Sequence, residues 1–151
     1  MKTIKKFEIR SQRISVDEHK EIYNQQINNP DIVENIVRQL TSGIDQEKLF
    51  VFLLDIKNKI IGFVEAHSGG IDNCNVDPRI IFRAAVHLGA SGIIISHNHP
   101  SGDSTPSNSD NNLTTRISKC GKLLDIIVLD HIILGNEIYS YKMNQPYLLE
   151  N

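Results

Sequence analysis

Residues 92–110 read Gly-Ile-Ile-Ile-Ser-His-Asn-His-Pro-Ser-Gly-Asp-Ser-Thr-Pro-Ser-Asn-Ser-Asp, an apolar run that leads into a polar segment. The run Gly92–Ser96 is short, continuous and rich in Ile, which predicts a buried strand. Alternate residues of an extended chain point to the same side, so His97 and His99 can bind one ion together while Asn98 faces away. Histidines at the carboxyl end of a buried strand indicate a site in an α/β protein.

The segment that follows predicts a turn and then a helix. Residues 100–106 contain two Pro, a Gly and an Asp, which are turn-forming residues, so the chain is expected to fold back. The helix is predicted to run from Ser107 to about Cys120 and to be ended by Gly121.

Asp110, in the first turn of this helix, is the candidate third ligand because it can reach back over the strand end. Ser107-x-x-Asp110 also resembles a helix capping box, although Glu or Gln is more usual at the last position. Taken alone, such a pair is more often a cap than a site. Together with His97 and His99 it favours a metal site, since two imidazoles and a carboxylate are ligands that catalytic zinc uses, with water in the fourth position.

The full pattern of His-x-His, seven residues, Ser, two residues and Asp resembles the JAMM (MPN-plus) metalloprotease signature. The neighbouring sequence resembles one branch of it, the RadC family, over about residues 45–142. The resemblance implies an α/β JAB/MPN fold, in which a mixed β-sheet is flanked by helices in a cytidine-deaminase-like layering, and a zinc-hydrolase site. The segments that carry it are His97–Asp103, Pro106–Ser107, Asp130–Gly135 and Val76–Arg79.

The JAMM pattern further implies an upstream glutamate that acts as general base from an earlier strand. Glu65, in the strand-like run Lys59–Ala66, is the favoured candidate because it lies within an otherwise apolar strand. Glu47 is the alternative; it begins the preceding strand next to Lys48 and is expected to be solvated. An outward-facing strand glutamate would also account for Glu65.

The resemblance implies zinc-dependent cleavage of a peptide or isopeptide bond. His97, His99 and Asp110 would hold Zn²⁺, the glutamate would act as general base, and Ser107 would donate a hydrogen bond to the developing oxyanion. The partner would be a protein or peptide substrate, and the sequence identifies neither this substrate nor the oligomeric state.

Composition favours a single soluble domain. The chain has 151 residues, 40% of them hydrophobic and 23% charged, which is ordinary for a globular protein. A net charge of −2 argues against tight, sequence-independent binding to nucleic acid. Two cysteines without a metal or disulfide spacing, no long apolar stretch and no signal peptide predict a cytoplasmic protein without a membrane partner.

Residues 1–44 are predicted to form a short N-terminal helical lead-in, and residues 45–151 the metallohydrolase domain. One lead-in helix is expected over Val16–Ile27, and a second begins at Pro30 with Asn29 as its N-cap. RadC proteins commonly carry an N-terminal helix-hairpin-helix module that suggests DNA contact, but this lead-in is too short for it and lacks the Gly-containing hairpin. The apolar face of the second helix comprises Ile32, Val33, Ile36, Val37 and Leu40.

The remaining elements complete a mixed sheet between helices. A hairpin is predicted from Leu49–Leu54 and Lys59–Glu65. A helix follows from Asp77-Pro78 to about Leu88 and is stopped by Gly89. The last predicted elements are a strand Ile126–Leu129, its continuation or partner Asp130–Leu134, a turn at Gly135-Asn136 and a final strand Glu137–Lys142.

The competing function is that of a DNA-repair-associated protein, a metal-dependent nuclease or a DNA-binding protein. HNH nucleases spread their residues over a ββα unit, so the tripeptide His97–His99 is a coincidence, and phosphodiester hydrolysis often recruits two metals where only one ligand set is evident. A degenerate binding module would not keep a complete ligand set. A zinc deaminase would need His-x-Glu and Pro-Cys-x-x-Cys, and neither occurs.

Asp130-His131 has two interpretations. The pair can orient a ligand histidine from behind, or it can be a strand-end pair satisfied by the backbone, which is slightly favoured.

Overall fold

The described residues form a mixed sheet, as predicted, and this sheet has five strands. A computed structural model describes residue 22, residues 25–70 and residues 76–149. The strands lie in the order β2-β1-β3-β4-β5; β3 and β4 are parallel and the other neighbours are antiparallel. Their bounds are β1 Lys48–Leu54, β2 Ile60–Ser68, β3 Gly92–Asn98, β4 Ile127–Leu134 and β5 Ile138–Ser140.

Helices cover both faces of this sheet. The apolar residues of α2 and α3 pack on the face that carries Leu49 and Val51, and those of α1 pack on the face that carries Phe50 and Phe52. The helix that the sequence assigned to the lead-in therefore lies directly on the sheet. The helices are α1 Pro30–Leu40, α2 Pro78–Leu88, α3 Asn108–Leu123 and α4 Tyr141–Asn144, followed by the 3₁₀ turn Pro146–Leu148.

The predicted helix ends of α1 and α2 are confirmed. Asn29 Oδ1 accepts a hydrogen bond from Ile32 N at 3.2 Å, which satisfies one of the free N–H groups of the first turn. Asp77 does the same for α2, and Gly89 ends that helix in the left-handed conformation, with φ 66°.

Some predicted element bounds differ from the structure. Most of the predicted helix Val16–Ile27 lies outside the described residues, but its end is wrong, because Gln26 is extended and forms an antiparallel bridge with Lys59. The alternative in which Asp130–Leu134 continues the preceding strand is confirmed, because β4 is one strand. The final strand stops at Ser140, whose hydroxyl accepts from Met143 N and starts α4.

Gly121 does not end α3, which runs on to Leu123. It is buried within the helix, and a Cβ added there would lie 2.4 Å from the carbonyl oxygen of Ile126. Glycine is present for close approach of the helix to the start of β4, which a sequence pattern cannot distinguish from a helix stop.

Gly121→Ala is expected to cost about 1–3 kcal/mol of unfolding free energy, because backbone atoms must move apart. Thermal unfolding followed by circular dichroism should show a fall of several degrees in Tm. Gly70→Ala is the matched control, since a Cβ at Gly70 meets nothing within 4 Å. Equal melting temperatures for the two variants would contradict the close approach.

No helix within the described ranges is long and apolar enough to cross a membrane.

Candidate metal centre

The candidate site lies where β3 ends and α3 begins. The parallel strands β3 and β4 are joined through α3, so the carboxyl end of β3 and the first turn of α3 meet at one edge of the sheet. Crevices of this kind are where open α/β sheets bind ligands. The segment between the two elements, residues 99–107, covers this edge.

The three predicted ligands come together here. One ligand atom from each of His97, His99 and Asp110 can be chosen so that all lie within 4.8 Å of one another. His97 Nε2 is 3.0 Å from His99 Nε2 and 3.2 Å from Asp110 Oδ1. The side chains of His97 and Asp110 are 0% and 2% exposed, whereas that of His99 is 14% exposed. The site is thus buried on the sheet side and open beside His99.

The loop that carries His99 is fixed by backbone contacts. His99 N donates to the carbonyl oxygen of Leu134 at 2.7 Å, and the carbonyl oxygen of Gly102 accepts from Asn136 N at 2.7 Å. A Cβ on Gly135 would meet Gly102 O at 2.3 Å, so the two segments approach as closely as glycine allows. His99 is therefore held against the turn between β4 and β5.

The ring orientation of His99 follows from one contact. Its Nδ1 lies 2.7 Å from the carbonyl oxygen of Asp103, which can only accept a hydrogen bond, so Nδ1 carries a hydrogen. In the neutral ring Nε2 then presents a lone pair to His97 and Asp110. A nitrogen lone pair beside a carboxylate calls for a cation between them, and this donor set fits a divalent metal of the zinc type.

Asp110 has two tasks in the structure. Its Oδ2 accepts from Ser107 N and from Ser107 Oγ, each at 2.7 Å, and Ser107 Oγ accepts from Asp110 N at 3.1 Å. This is a complete capping box. Its Oδ1 faces His97, so one carboxylate both caps α3 and lines the site.

The charge state of Asp110 suits a metal ligand. Burial alone raises the pKa of this carboxyl, but the contact with His97 and the hydrogen bonds from Ser107 outweigh burial and hold the pKa well below its usual range. The carboxylate is therefore ionised at neutral pH, at the amino end of α3 where the helix dipole favours negative charge.

A chain of buried polar groups continues behind His97. His97 Nδ1 lies 2.8 Å from His131 Nε2, and His131 Nδ1 lies 2.6 Å from Thr114 Oγ1, which is 2.7 Å from the carbonyl oxygen of Asp110. Burial, followed by the neighbouring His97, holds the pKa of His131 well below its ordinary value, so this ring is neutral. Tyr141 stacks on it, with ring centroids 4.9 Å apart and planes at 7°.

Asp130 and His131 therefore have separate roles. The Asp130 carboxylate accepts from His131 N, Lys142 N and Ser140 Oγ, at 2.7, 2.9 and 2.6 Å, and so ties β4 to β5 and α4. Burial raises the pKa of Asp130 despite these bonds. The interpretation as a backbone-satisfied residue fits Asp130, and contact with a ligand histidine fits His131.

Glu65 lies on the other face of the sheet. It pairs with Phe50 across β1 and β2, and Phe50 pairs with Ser96, so these side chains share the face opposite His97. The Glu65 carboxylate is 42% exposed and lies 3.0 Å from Lys48 Nζ. The structure does not bring Glu65 to the three ligands, which corrects the expectation that favoured it as the general base.

Strand alternation predicts that Glu47 lies on the side of the ligands. Leu49 pairs with His97 at the end of the β1–β3 register, and Glu47, two residues before Leu49, is expected to point to the same side of the sheet. Asn98 holds this backbone: its Oδ1 accepts from Lys48 N at 2.8 Å and its Nδ2 donates to Gln46 O at 3.0 Å. The residues on both sides of Glu47 are thus clamped by the residue that lies between the two histidines.

Sequence reasoning did not identify Thr114 or the clamp by Asn98. Thr114 lies four residues after Asp110, one helical turn on, and this spacing is a signal that could have placed its hydroxyl near the site. The clamp depends on the register of β1 against β3, which no local pattern specifies.

Comparison with known families gives one match over most of the chain. The family model described as RadC-like JAB domain matches residues 27–146, which include all of the residues of the candidate site.

Similar curated proteins come from several bacteria. A UPF0758 protein of Clostridium perfringens is 46% identical over 123 residues, which are 81% of this chain and 54% of that protein. UPF0758 proteins of Staphylococcus haemolyticus and Carboxydothermus hydrogenoformans are 40% and 45% identical, over 80% and 74% of this chain and 53% and 49% of their own lengths. The chain thus spans about half the length of the curated relatives it matches.

Proposed function

The chain belongs to the RadC-like JAB domain family, and from this premise we propose that it is a zinc-dependent hydrolase of peptide or isopeptide bonds. The observation that carries the proposal is the convergence of His97, His99 and Asp110 at the end of a buried strand. Three protein ligands with one side open are the arrangement of catalytic rather than structural zinc sites.

The exposure of the site supports a reaction on an external substrate. His97 and Asp110 are buried, while Ser107, at the open side, is exposed. A substrate carbonyl can therefore approach from the side of Ser107 and His99 without displacing the groups that hold the ligands.

The chain supplies the other groups that amide hydrolysis needs. We assign the general base to Glu47, which accepts a proton from the attacking water and delivers it to the leaving amine. Ser107, by rotation of its hydroxyl away from Asp110, donates to the carbonyl oxygen as negative charge develops there. A bound zinc ion would supply Lewis acidity, which lowers the pKa of coordinated water and polarises the carbonyl.

The test is metal content together with hydrolysis. Protein purified without chelators should contain about one zinc per chain, and peptides and lysine-linked isopeptide conjugates should be cleaved by the zinc form but not after chelation. Absence of metal binding would overturn the proposal. Salt-sensitive, sub-micromolar binding to duplex DNA without peptide cleavage would favour the nuclease alternative, against the net charge of −2.

Ser107→Ala should reduce kcat by about a hundredfold or more when zinc is saturating, because the oxyanion loses its donor. The same change should cost about 0.5–2 kcal/mol of unfolding free energy through loss of the cap. Ser107→Thr keeps both the cap and the hydroxyl and is the control. Full turnover by Ser107→Ala with only a lower Tm would show that Ser107 is a cap and nothing more.

A further inference from the structure

We propose that His131 and Thr114 are positioning residues that keep the ring hydrogen of His97 on Nδ1 and so leave its Nε2 free to bind the metal. This inference deepens the proposed function and rests on the metal site assigned there. It is carried by the buried contacts from His97 to His131, from His131 to Thr114, and from Thr114 to the carbonyl oxygen of Asp110.

The direction of hydrogen-bond donation in this series of contacts is set at Thr114. The Thr114 hydroxyl has one hydrogen and two close neighbours, the carbonyl oxygen of Asp110 at 2.7 Å and His131 Nδ1 at 2.6 Å. The carbonyl oxygen can only accept, so both contacts are hydrogen bonds only if the hydroxyl donates to Asp110 and accepts from His131. A threonine hydroxyl that donates to the carbonyl one turn back is a common arrangement within helices.

The position of the ring hydrogen of His131 then determines that of His97, the proposed metal ligand. With its hydrogen on Nδ1, the neutral His131 ring presents a lone pair at Nε2, and His97 Nδ1, at 2.8 Å, is the group placed to donate to it. His97 must therefore carry a hydrogen on Nδ1. Its Nε2, which faces His99 and Asp110, is the atom left for coordination.

Hydrogen bonds donated in the opposite direction, from Thr114 towards His97, would be unfavourable at both ends of the series. If Thr114 donated to His131, two acceptors, Thr114 Oγ1 and Asp110 O, would face each other at 2.7 Å with no hydrogen between them. His131 would then donate from Nε2 to His97 Nδ1, and the neutral His97 ring would carry its hydrogen on Nε2, inside the site. Every atom in this series of hydrogen bonds lies in a buried side chain or in helix backbone. Water therefore cannot supply the hydrogen bonds that the reverse direction would lose.

Thr114→Val and Thr114→Ser are the matched variants. Valine keeps the shape and removes the hydroxyl, which leaves His131 Nδ1 without an acceptor, whereas serine keeps the hydroxyl. We expect the hydrogen of His131 to lie on Nδ1 in the wild type and in Thr114→Ser, and to move to Nε2 in Thr114→Val. Long-range ¹H–¹⁵N spectra of the metal-free proteins read this directly, independently of any activity.

Zinc affinity is the second measurement, made by competition with a chromophoric chelator. Thr114→Val should bind zinc about 10–100-fold more weakly, the usual effect of losing a group that orients a ligand, and Thr114→Ser should bind as the wild type does. A hydrogen on His131 Nε2 in the wild type, or unchanged affinity in Thr114→Val, would overturn the inference. If the wild type binds no zinc, the proposed function fails, but the ring spectra still show in which direction the hydrogen bonds are donated. If Thr114→Val does not fold, the wild-type and Thr114→Ser spectra decide it.

Discussion

Asp110→Asn should leave the fold intact and weaken zinc binding by more than about a hundredfold, since a neutral amide replaces the charged ligand of a three-ligand site. Asparagine has nearly the same shape, and its carbonyl oxygen can still accept from Ser107 N, so the capping box of α3 is largely kept. The low pKa of Asp110 means that the lost group is an ionised carboxylate at neutral pH.

The measurement is zinc per chain after dialysis against a weak chelator, with thermal unfolding to show that the protein is folded. Asp103→Asn is the matched control because it removes the same charge from the loop that leads into α3. The Asp103 carboxylate binds Thr105 N and does not face His97, so its loss should leave the zinc content unchanged. Stoichiometric zinc in Asp110→Asn, or in the double change His97→Ala and His99→Ala, would show that the metal lies elsewhere.

The convergence of the three candidate ligands was predictable from sequence because it depends on local geometry. His97 and His99 lie two residues apart at a strand end, and Asp110 lies in the first turn of the next helix, so short-range rules bring them together. The same rules placed α1, α2 and the β1–β2 hairpin, whose caps and apolar faces are encoded in adjacent residues.

The face of the sheet on which each candidate glutamate lies was harder to predict, because it depends on strand register. The pairing of β1 with β2 shifts between Leu49 and Phe50, so Leu49 faces His67 while Phe50 faces Glu65. Counting along the strand cannot show this irregularity, and a one-residue shift transfers a side chain to the other face. The buried contacts from His97 through His131 to Thr114 join three elements, so they could not be predicted from sequence for the same reason.

Glu47→Gln should lower kcat by about 100- to 10,000-fold, the range that a lost general base commonly costs. Glutamine keeps the size and hydrogen-bonding capacity of the side chain but cannot take up a proton. Because Glu47 is not among the three ligands, zinc content should stay at the wild-type level, which separates this variant from Asp110→Asn. Single-turnover hydrolysis of the best peptide or isopeptide substrate is the measurement.

Glu65→Gln is the matched control, and the pair decides between two glutamates that sequence alone left open. Glu65 contacts Lys48 on the opposite face of the sheet, so its loss should leave turnover near the wild-type rate and remove only an exposed ion pair, worth about 0–1 kcal/mol. If Glu65→Gln loses turnover while Glu47→Gln keeps it, the register argument fails and the base acts from the other face. If both variants stay active, the proton is taken by neither glutamate, and the hydrolytic mechanism proposed for this site is wrong even where zinc is bound.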